Sequence, residues 1–239
     1  MMCGEVASIV ADGAVALGVD LPAAAAAAFE SYYAFLEKEG GNFNLTAIKG
    51  AGDVARLHFL DSIALLNAAH FSGKRVIDVG SGAGFPGVPI KICEPSSELT
   101  LLDSSLKRVT FLSQLCNRLE TKATLVNDRA EVSAHEPDMR ERFDVAVSRA
   151  VARLNVLCEL CLPFVNVGGI FIAMKGADTA DELADSGSAV KALGAELLSI
   201  FKYEIPNVGI THTAILLRKV TRTPDKYPRR FARIKNTPL

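Results

Sequence analysis

The fold of this chain is decided by one stretch, Val76-Ile77-Asp78-Val79-Gly80-Ser81-Gly82-Ala83-Gly84-Phe85-Pro86-Gly87. An apolar run is followed at once by three alternating glycines and then by a helix-forming segment. Glycine lets the backbone approach a ligand closely, and a helix N-terminus favours an anionic or hydrogen-bonding group. We therefore predict a strand, a tight turn and a helix. The turn could simply connect the two elements, or it could also bind a ligand.

Two phosphate-binding templates fail at this turn. A dinucleotide fingerprint starting at Gly80 needs glycine where Phe85 stands, and a P-loop starting at Gly82 needs lysine where Val88 stands. The remaining pattern, Asp-x-Gly-x-Gly-x-Gly from Asp78, resembles motif I of S-adenosylmethionine-dependent methyltransferases. The cofactor of those enzymes has no phosphate for a turn to bind.

A second acidic residue supports a cofactor that carries ribose. Asp103 lies 23 residues beyond Gly80, at the end of the next apolar run. A carboxylate at that position can accept hydrogen bonds from both ribose hydroxyls. It can also cap the helix that starts near Ser104.

Short apolar runs alternate with helix-sized segments after residue 70, which predicts a parallel sheet covered on both faces. The runs are Arg75 to Val79, Leu99 to Leu102, Ala123 to Val126, Phe143 to Val147, Ile170 to Met174, Leu197 to Tyr203 and Thr213 to Leu217. The last two runs are too close together for a helix, and Pro206 and Gly209 between them indicate a hairpin.

The first 70 residues have helical patterns instead. One helix is predicted over residues 5–39, and a second from an Asp53 cap to about Ala69. The predicted architecture is a Rossmann-like α/β fold: a mostly parallel seven-stranded sheet, a C-terminal antiparallel hairpin and an N-terminal helical extension. We divide the chain into residues 1–70 (extension), 71–220 (methyltransferase domain) and 221–239 (basic tail).

The chain of 239 residues has 26 Lys and Arg against 27 Asp and Glu, but this balance conceals a basic end. Residues 218–239 contain eight basic residues and one acid, so the other 217 residues have a net charge of −8. Basic residues interleaved with Tyr227 and Phe231 suit phosphate contacts and base stacking, although a disordered end is the alternative. The acidic body should limit non-specific RNA binding, which predicts a target presented in a ribonucleoprotein particle.

Several classes of protein are excluded by the same sequence. No apolar run approaches the roughly 20 residues of a membrane span, and no secretion signal is recognisable, so we expect a cytoplasmic protein. Cys158 and Cys161 form a CxxC pair without a second Cys or His pair at metal spacing, and we predict no metal site.

Motifs along most of the chain, in order and at the expected spacing, resemble the GidB/RsmG family of ribosomal RNA small subunit methyltransferase G. They are Asn44 to Ile48, His58 to Ser62, Asp78 to Ile92, Leu101 to Ser104, Lys107, Arg108, Phe111, Leu112, Arg129 to Glu131, Ser148 to Ala152, Gly168, Gly169, Met174 to Gly176 and Lys226 to Arg230. Two departures concern the RNA-facing surface. The chain has no Trp near Asn44, and it has Thr211 where the family commonly has Arg.

The resemblance implies methyl transfer from S-adenosylmethionine to N7 of one guanine, at position 527 of bacterial 16S rRNA. We expect the protein to act as a monomer. The motifs carry over a cofactor-binding set of Asp78, Gly80, Gly82, Gly84, Phe85, Asp103, Ala130, Glu131 and Arg149. An RNA-binding set comprises His58, Lys175, Lys226, Arg229 and Arg230. Because N7 carries a lone pair and no proton, we expect no general base, with Arg149 and Asn44 as the catalytic residues.

Five of the polar residues also have simpler explanations. Arg149 could clamp the methionine carboxylate or an RNA phosphate, or form a surface salt bridge. Asn44 could bind the purine edge or occupy a turn, and Lys175 could line the ligand site or be a solvated loop residue. His58 and Asp61 lie at i and i+3 on one helix face and could simply pair with each other.

Two other functions compete with the methyltransferase. A non-catalytic RNA-binding assembly factor could retain the fold and the cofactor pocket. A nicotinamide-dependent oxidoreductase is disfavoured by Phe85 at the third-glycine position.

Overall fold

The computed structural model describes residues 4–43, 45 and 47–239. Seven strands form one sheet in the order β3-β2-β1-β4-β5-β7-β6. They are β1 (Arg75–Val79), β2 (Glu98–Asp103), β3 (Ala123–Asn127), β4 (Phe143–Arg149), β5 (Val165–Lys175), β6 (Ala195–Ile205) and β7 (Ile210–Lys219). Strands β1 to β5 pair in parallel, whereas β7 is antiparallel to both β5 and β6. The predicted sheet and hairpin are confirmed.

Helices cover both faces of this sheet. The α-helices are α1 (Glu5–Leu17), α2 (Ala25–Phe43), α3 (Ala51–Val54), α4 (Asp61–Ile63), α5 (Gly87–Cys93), α6 (Leu106–Arg118), α7 (Ala130–Ser133), α8 (Leu154–Cys161), α9 (Ala180–Ala192) and α10 (Phe231–Asn236). Successive strand residues point to opposite faces, so Val76 packs in one hydrophobic cluster and Ile77 in the other. The buried strands are apolar on both faces for this reason.

The N-terminal helices differ in detail from the prediction. The helix expected over residues 5–39 is broken, because Gly18 adopts a φ of +69° and ends α1. The next helix starts at Ala51 rather than at an Asp53 cap, and it passes through a π-helical segment, Ala55–Leu60, before α4. Side chains of α1 and α2 share a hydrophobic cluster with the sheet, so the first 70 residues complete the core on one face.

The basic C-terminal segment is folded onto the opposite face. Glu159 of α8 is fully buried, and the Arg229 guanidinium binds its two carboxylate oxygens at 2.6 and 2.8 Å. The Arg140 guanidinium donates to the carbonyl oxygens of Thr223 and Tyr227 at 2.8 and 2.9 Å. The Tyr227 ring is buried, so it is not the exposed stacking surface that the sequence suggested, and the segment is not a disordered end.

No helix in the part of the chain that the structure describes is both long and apolar enough to cross a membrane. Among the same residues, no cluster of three or more His, Cys, Asp or Glu side chains could hold a metal ion. Cys158 and Cys161 are buried free thiols, and burial raises the pKa of the Cys158 thiol to about 12.

The buried ion pair of the C-terminal segment generates a stability prediction. Arg229→Ala leaves the Glu159 carboxylate buried without its counter-charge, and we expect a loss of about 3 kcal/mol in the free energy of unfolding. Urea denaturation measures the change, with Arg233→Ala, an exposed arginine of α10, as the control. Equal stability of the two variants would contradict a structural role for Arg229.

Candidate functional site

A cavity of about 780 Å³ opens at the carboxyl ends of the parallel strands, the edge where α/β sheets bind ligands. The predicted site residues in its wall are Gly80, Gly82, Phe85, Asp103, Ala130, Glu131, Arg149, His58 and Lys175. Three further lining residues, Asp61, His212 and Phe231, were not in the predicted set. Asp78, Gly84, Lys226, Arg229 and Arg230 are not among the described residues that line it, and Asn44 lies outside the described residues.

The three glycines of the turn all have positive φ but serve different purposes. At Gly84, an added Cβ would lie 2.6 Å from the Tyr32 hydroxyl, so this glycine allows close packing. At Gly80, an added Cβ would lie 2.6 Å from Val151 Cγ2. At Gly82 the nearest atom would be the Gly80 carbonyl oxygen at 3.9 Å, so the space beside Gly82 is open toward the cavity. A ligand can therefore approach the backbone closely at Gly82.

Asp78 supports the turn from behind. Its Oδ2 accepts a hydrogen bond of 2.8 Å from the Gly87 amide at the start of α5, while Oδ1 has no partner. The carboxyl group is completely buried, and desolvation raises its pKa to about 7. Asp78 therefore joins β1 to α5 behind the turn.

Asp103 lies at the end of β2, between the glycine turn and the helix α6. Its Oδ1 accepts a hydrogen bond of 2.9 Å from the Ser105 amide, two residues further on. Ser105 is the N-cap residue of α6, so Asp103 is not the helix cap that the sequence offered as its alternative role. Its Oδ2 accepts one of 3.0 Å from the Gly82 amide, and the residue also lines the cavity. Each carboxylate oxygen can accept more than one hydrogen bond, so Asp103 retains capacity for ribose hydroxyls.

Arg149 is held by the helical segment that lies over the cavity. Its Nη1 donates to Asp61 Oδ2 at 2.8 Å, and its Nη2 lies 2.9 Å from His58 Nδ1. The guanidinium also lies over the Phe85 ring, 5.0 Å from the ring centroid. His58 and Asp61, which lie at i and i+3, therefore both bind Arg149.

Asp61 is the centre of this network. Its Oδ1 accepts hydrogen bonds from the Tyr203 hydroxyl at 2.7 Å and from His212 Nδ1 at 2.8 Å. Burial raises the pKa of the Asp61 carboxyl, but the His212 hydrogen bond and the Arg149 charge outweigh it, and the net pKa is below the ordinary value. The hydrogen bond to Asp61 in turn raises the pKa of His212.

His58 has the opposite electrostatic environment. Burial and the neighbouring Arg149 charge lower its pKa to about 3, so the ring is neutral at pH 7. Because Arg149 can only donate, His58 Nδ1 is the acceptor and the proton of the neutral ring lies on Nε2. The ring stacks on Phe85 with centroids 4.4 Å apart, and Tyr32 stacks on Phe85 at 5.3 Å.

Lys175 is also paired within the protein, not solvated in a loop. Its Nζ lies 2.7 Å from Glu182 and donates to the Ala152 carbonyl oxygen at 2.6 Å. The register of β5 and β7 pairs Lys175 with Thr213, which places the neighbouring His212 at the same edge of the sheet. The predicted hairpin was thus the signal from which His212 could have been found.

Solved structures of similar fold have low sequence identity to this chain. A ribosomal protein L11 methylase from Lactobacillus delbrueckii matches with a TM-score of 0.52 and 15% identity, over 69% of this chain and 79% of that one. TYW2 from M. jannaschii, solved in complex with AdoMet, matches with a TM-score of 0.52 and 11% identity, over 72% and 85%. These likenesses confirm the predicted Rossmann-like class I methyltransferase fold.

The sequence comparisons are more specific. The family model GidB, described as rRNA small subunit methyltransferase G, matches residues 25–209. The ribosomal RNA small subunit methyltransferase G of Alkaliphilus oremlandii is 43% identical, over 98% of this chain and 99% of that protein. The protein of the same name from Pelotomaculum thermopropionicum is 41% identical, over 94% and 95%. The chain therefore belongs to the GidB family of rRNA small subunit methyltransferase G, and it is an rRNA methyltransferase.

Proposed function

We propose that this protein transfers the methyl group of S-adenosylmethionine to N7 of a guanine in bacterial 16S rRNA, at position 527. The observation that carries the proposal is that one cavity combines the open glycine turn, the Asp103 carboxylate and the Arg149 network. A substrate in the ribosome implies that the protein acts in the cytoplasm, and we propose that it acts as a monomer.

The residues of the cavity fit the cofactor. Gly82 would allow the cofactor to approach the backbone closely beside Gly80, and Asp103 would accept hydrogen bonds from the ribose of the cofactor. Ala130 and Glu131 would border it beyond Asp103. When bound, S-adenosylmethionine supplies a methyl group activated by the adjacent sulfonium. The task left to the protein is to hold the acceptor in line with that methyl group.

The chemistry of the acceptor explains why the charged residues here are paired with one another. Guanine N7 attacks through an in-plane lone pair and loses no proton, so no side chain has to act as a base. Positive charge develops on the purine, and an unpaired cation nearby would oppose it. Arg149 is neutralised by Asp61, and His58 is uncharged. We assign Arg149 to positioning of cofactor or acceptor, and we retain Asn44 as a candidate for the purine edge.

RNA binding is assigned to the exposed basic residues. Lys226 and Arg230 are exposed, whereas Arg229 is committed to Glu159 and Lys175 to Glu182. The net charge of −8 on residues 1–217 gives weak affinity for arbitrary RNA. We therefore propose that the substrate is the target nucleotide within a small-subunit ribonucleoprotein particle.

The first prediction from the proposed function concerns the methylated nucleotide in rRNA. Mapping N7-methylguanosine in rRNA by reductive cleavage should show one modified 16S guanine in cells that make this protein, and none in cells that lack it. Purified enzyme should methylate small-subunit particles faster than naked 16S rRNA. A methyl group on another atom or another rRNA would refute the proposed specificity, and equal rates on both substrates would refute the particle requirement.

The second prediction concerns cofactor binding at the turn. Gly82→Ala places a methyl group in the open space beside the turn, and we expect the affinity for S-adenosylmethionine to fall at least about tenfold, measured by calorimetry. Gly73→Ala is the control, because Gly73 has a similar φ of +66° and no atom near its Cβ position. Both variants should lose similar stability from backbone strain. Weakening of binding in both would show that strain, rather than the cavity, is responsible.

The third prediction concerns the Asp61 network. Asp61→Asn removes the counter-charge of Arg149, and we expect kcat to fall about tenfold or more while the Kd for S-adenosylmethionine changes little. Tyr203→Phe removes a single hydrogen bond to Asp61 and should have a much smaller effect on kcat. Wild-type kcat in the Asn variant would remove this ion pair from the mechanism.

A further inference from the structure

The folded C-terminal segment contributes an aromatic ring to the cavity. Phe231, the first residue of α10, lines the cavity together with Arg129, Ala130 and Glu131. The Arg129 guanidinium lies over the Phe231 ring at 5.9 Å from its centroid, and its Nη1 lies 3.9 Å from Glu131. Phe231 keeps 36% of its surface exposed while it lines the cavity.

Contacts on both sides of Phe231 hold it in place. Before it, Arg229 is bound to Glu159, and the Pro228 carbonyl oxygen lies 2.9 Å from His135 Nε2. After it, Ile234 is completely buried in the hydrophobic cluster of α8 and α9. The position of Phe231 in the fold is therefore fixed by the contacts of its neighbours.

The order of the strands indicates which part of the cofactor would meet this ring. Along the sheet edge, the strand ends follow as β3, β2, β1 and β4, so Asp103 lies between the Asp128–Glu131 side and the Arg149 side. If Asp103 holds the ribose, the transferable methyl must point toward the Arg149 network, where the acceptor enters. The adenine then extends the other way, toward Ala130, Glu131 and Phe231.

We propose that Phe231 is a cofactor-binding residue whose ring packs against the adenine of S-adenosylmethionine, so that the C-terminal segment forms one wall of the cofactor site. This inference rests on the proposed function. An aromatic ring backed by a guanidinium provides the stacking surface that a purine prefers. The ion pair between Arg229 and Glu159 then positions Phe231, and the segment that the sequence assigned wholly to RNA serves the cofactor as well.

Calorimetry with S-adenosylhomocysteine tests the proposal. Phe231→Ala should raise the Kd about tenfold, and Phe231→Tyr should restore it to within about twofold of wild type. The same tenfold loss should appear with 5′-methylthioadenosine, which retains the adenine and lacks the amino acid. Arg233→Ala, two residues further along α10, is the control and should leave both values unchanged. Because Phe231 is partly exposed, the alanine variant should fold, and urea denaturation verifies this.

The outcomes separate this inference from the function on which it rests. If wild-type protein does not bind S-adenosylhomocysteine, the proposed function fails and the inference fails with it. If wild type binds and Phe231→Ala binds equally well, only the inference is overturned. In that case, a loss of affinity for small-subunit particles in the same variant would assign the ring to RNA.

Discussion

The hydrogen bond from the Gly82 amide to Asp103 is the constraint on which the site depends. It ties the turn after β1 to the end of the neighbouring strand β2, and Asp78 ties the far end of the same turn to α5. Two carboxyl groups thus hold a glycine-rich segment in place. Its glycines have positive φ angles and, because they lack a Cβ, would otherwise be conformationally free. The cavity has a defined floor because both carboxylates are buried and hydrogen-bonded to backbone amides.

The remaining walls are added by parts of the chain that are distant in sequence. The π-helical segment and α4 bring His58 and Asp61 over the end of β4, where Arg149 binds both. The antiparallel hairpin adds Tyr203 and His212 to Asp61. The result is a site in which each charge is balanced by a partner, which suits an acceptor that becomes positive without losing a proton.

The sequence predicted most of the fold and part of the site. All seven apolar runs are strands. Strands of a parallel sheet are buried on both faces, so each must be a short apolar run, and such runs between helix-sized segments can be recognised locally. The break at Gly18 was missed because the alanine-rich helical pattern continues on both sides of it. Gly80, Gly82 and Asp103, which the sequence predicted to bind the cofactor, line the cavity, since their positions follow directly from the ends of β1 and β2. Asp78 and Gly84 belong to the same predicted set but are not among the described residues that line the cavity; Asp78 binds the Gly87 amide and Gly84 packs against Tyr32.

The resemblance of the chain's motifs to those of a known family indicated the family. What the sequence also determined alone was the order of strands and helices along the chain and the glycine turn after β1. These depend on the periodicity of apolar residues and on spacings between residues within about 30 positions, which can be recognised without knowledge of tertiary contacts. Only the tertiary structure decided which charges meet. Asp61 pairs with residues 88 and 151 positions away, and Arg229 pairs with Glu159 at a separation of 70. No local pattern encodes such partners, because burial selects them only after the sheet has brought distant segments together.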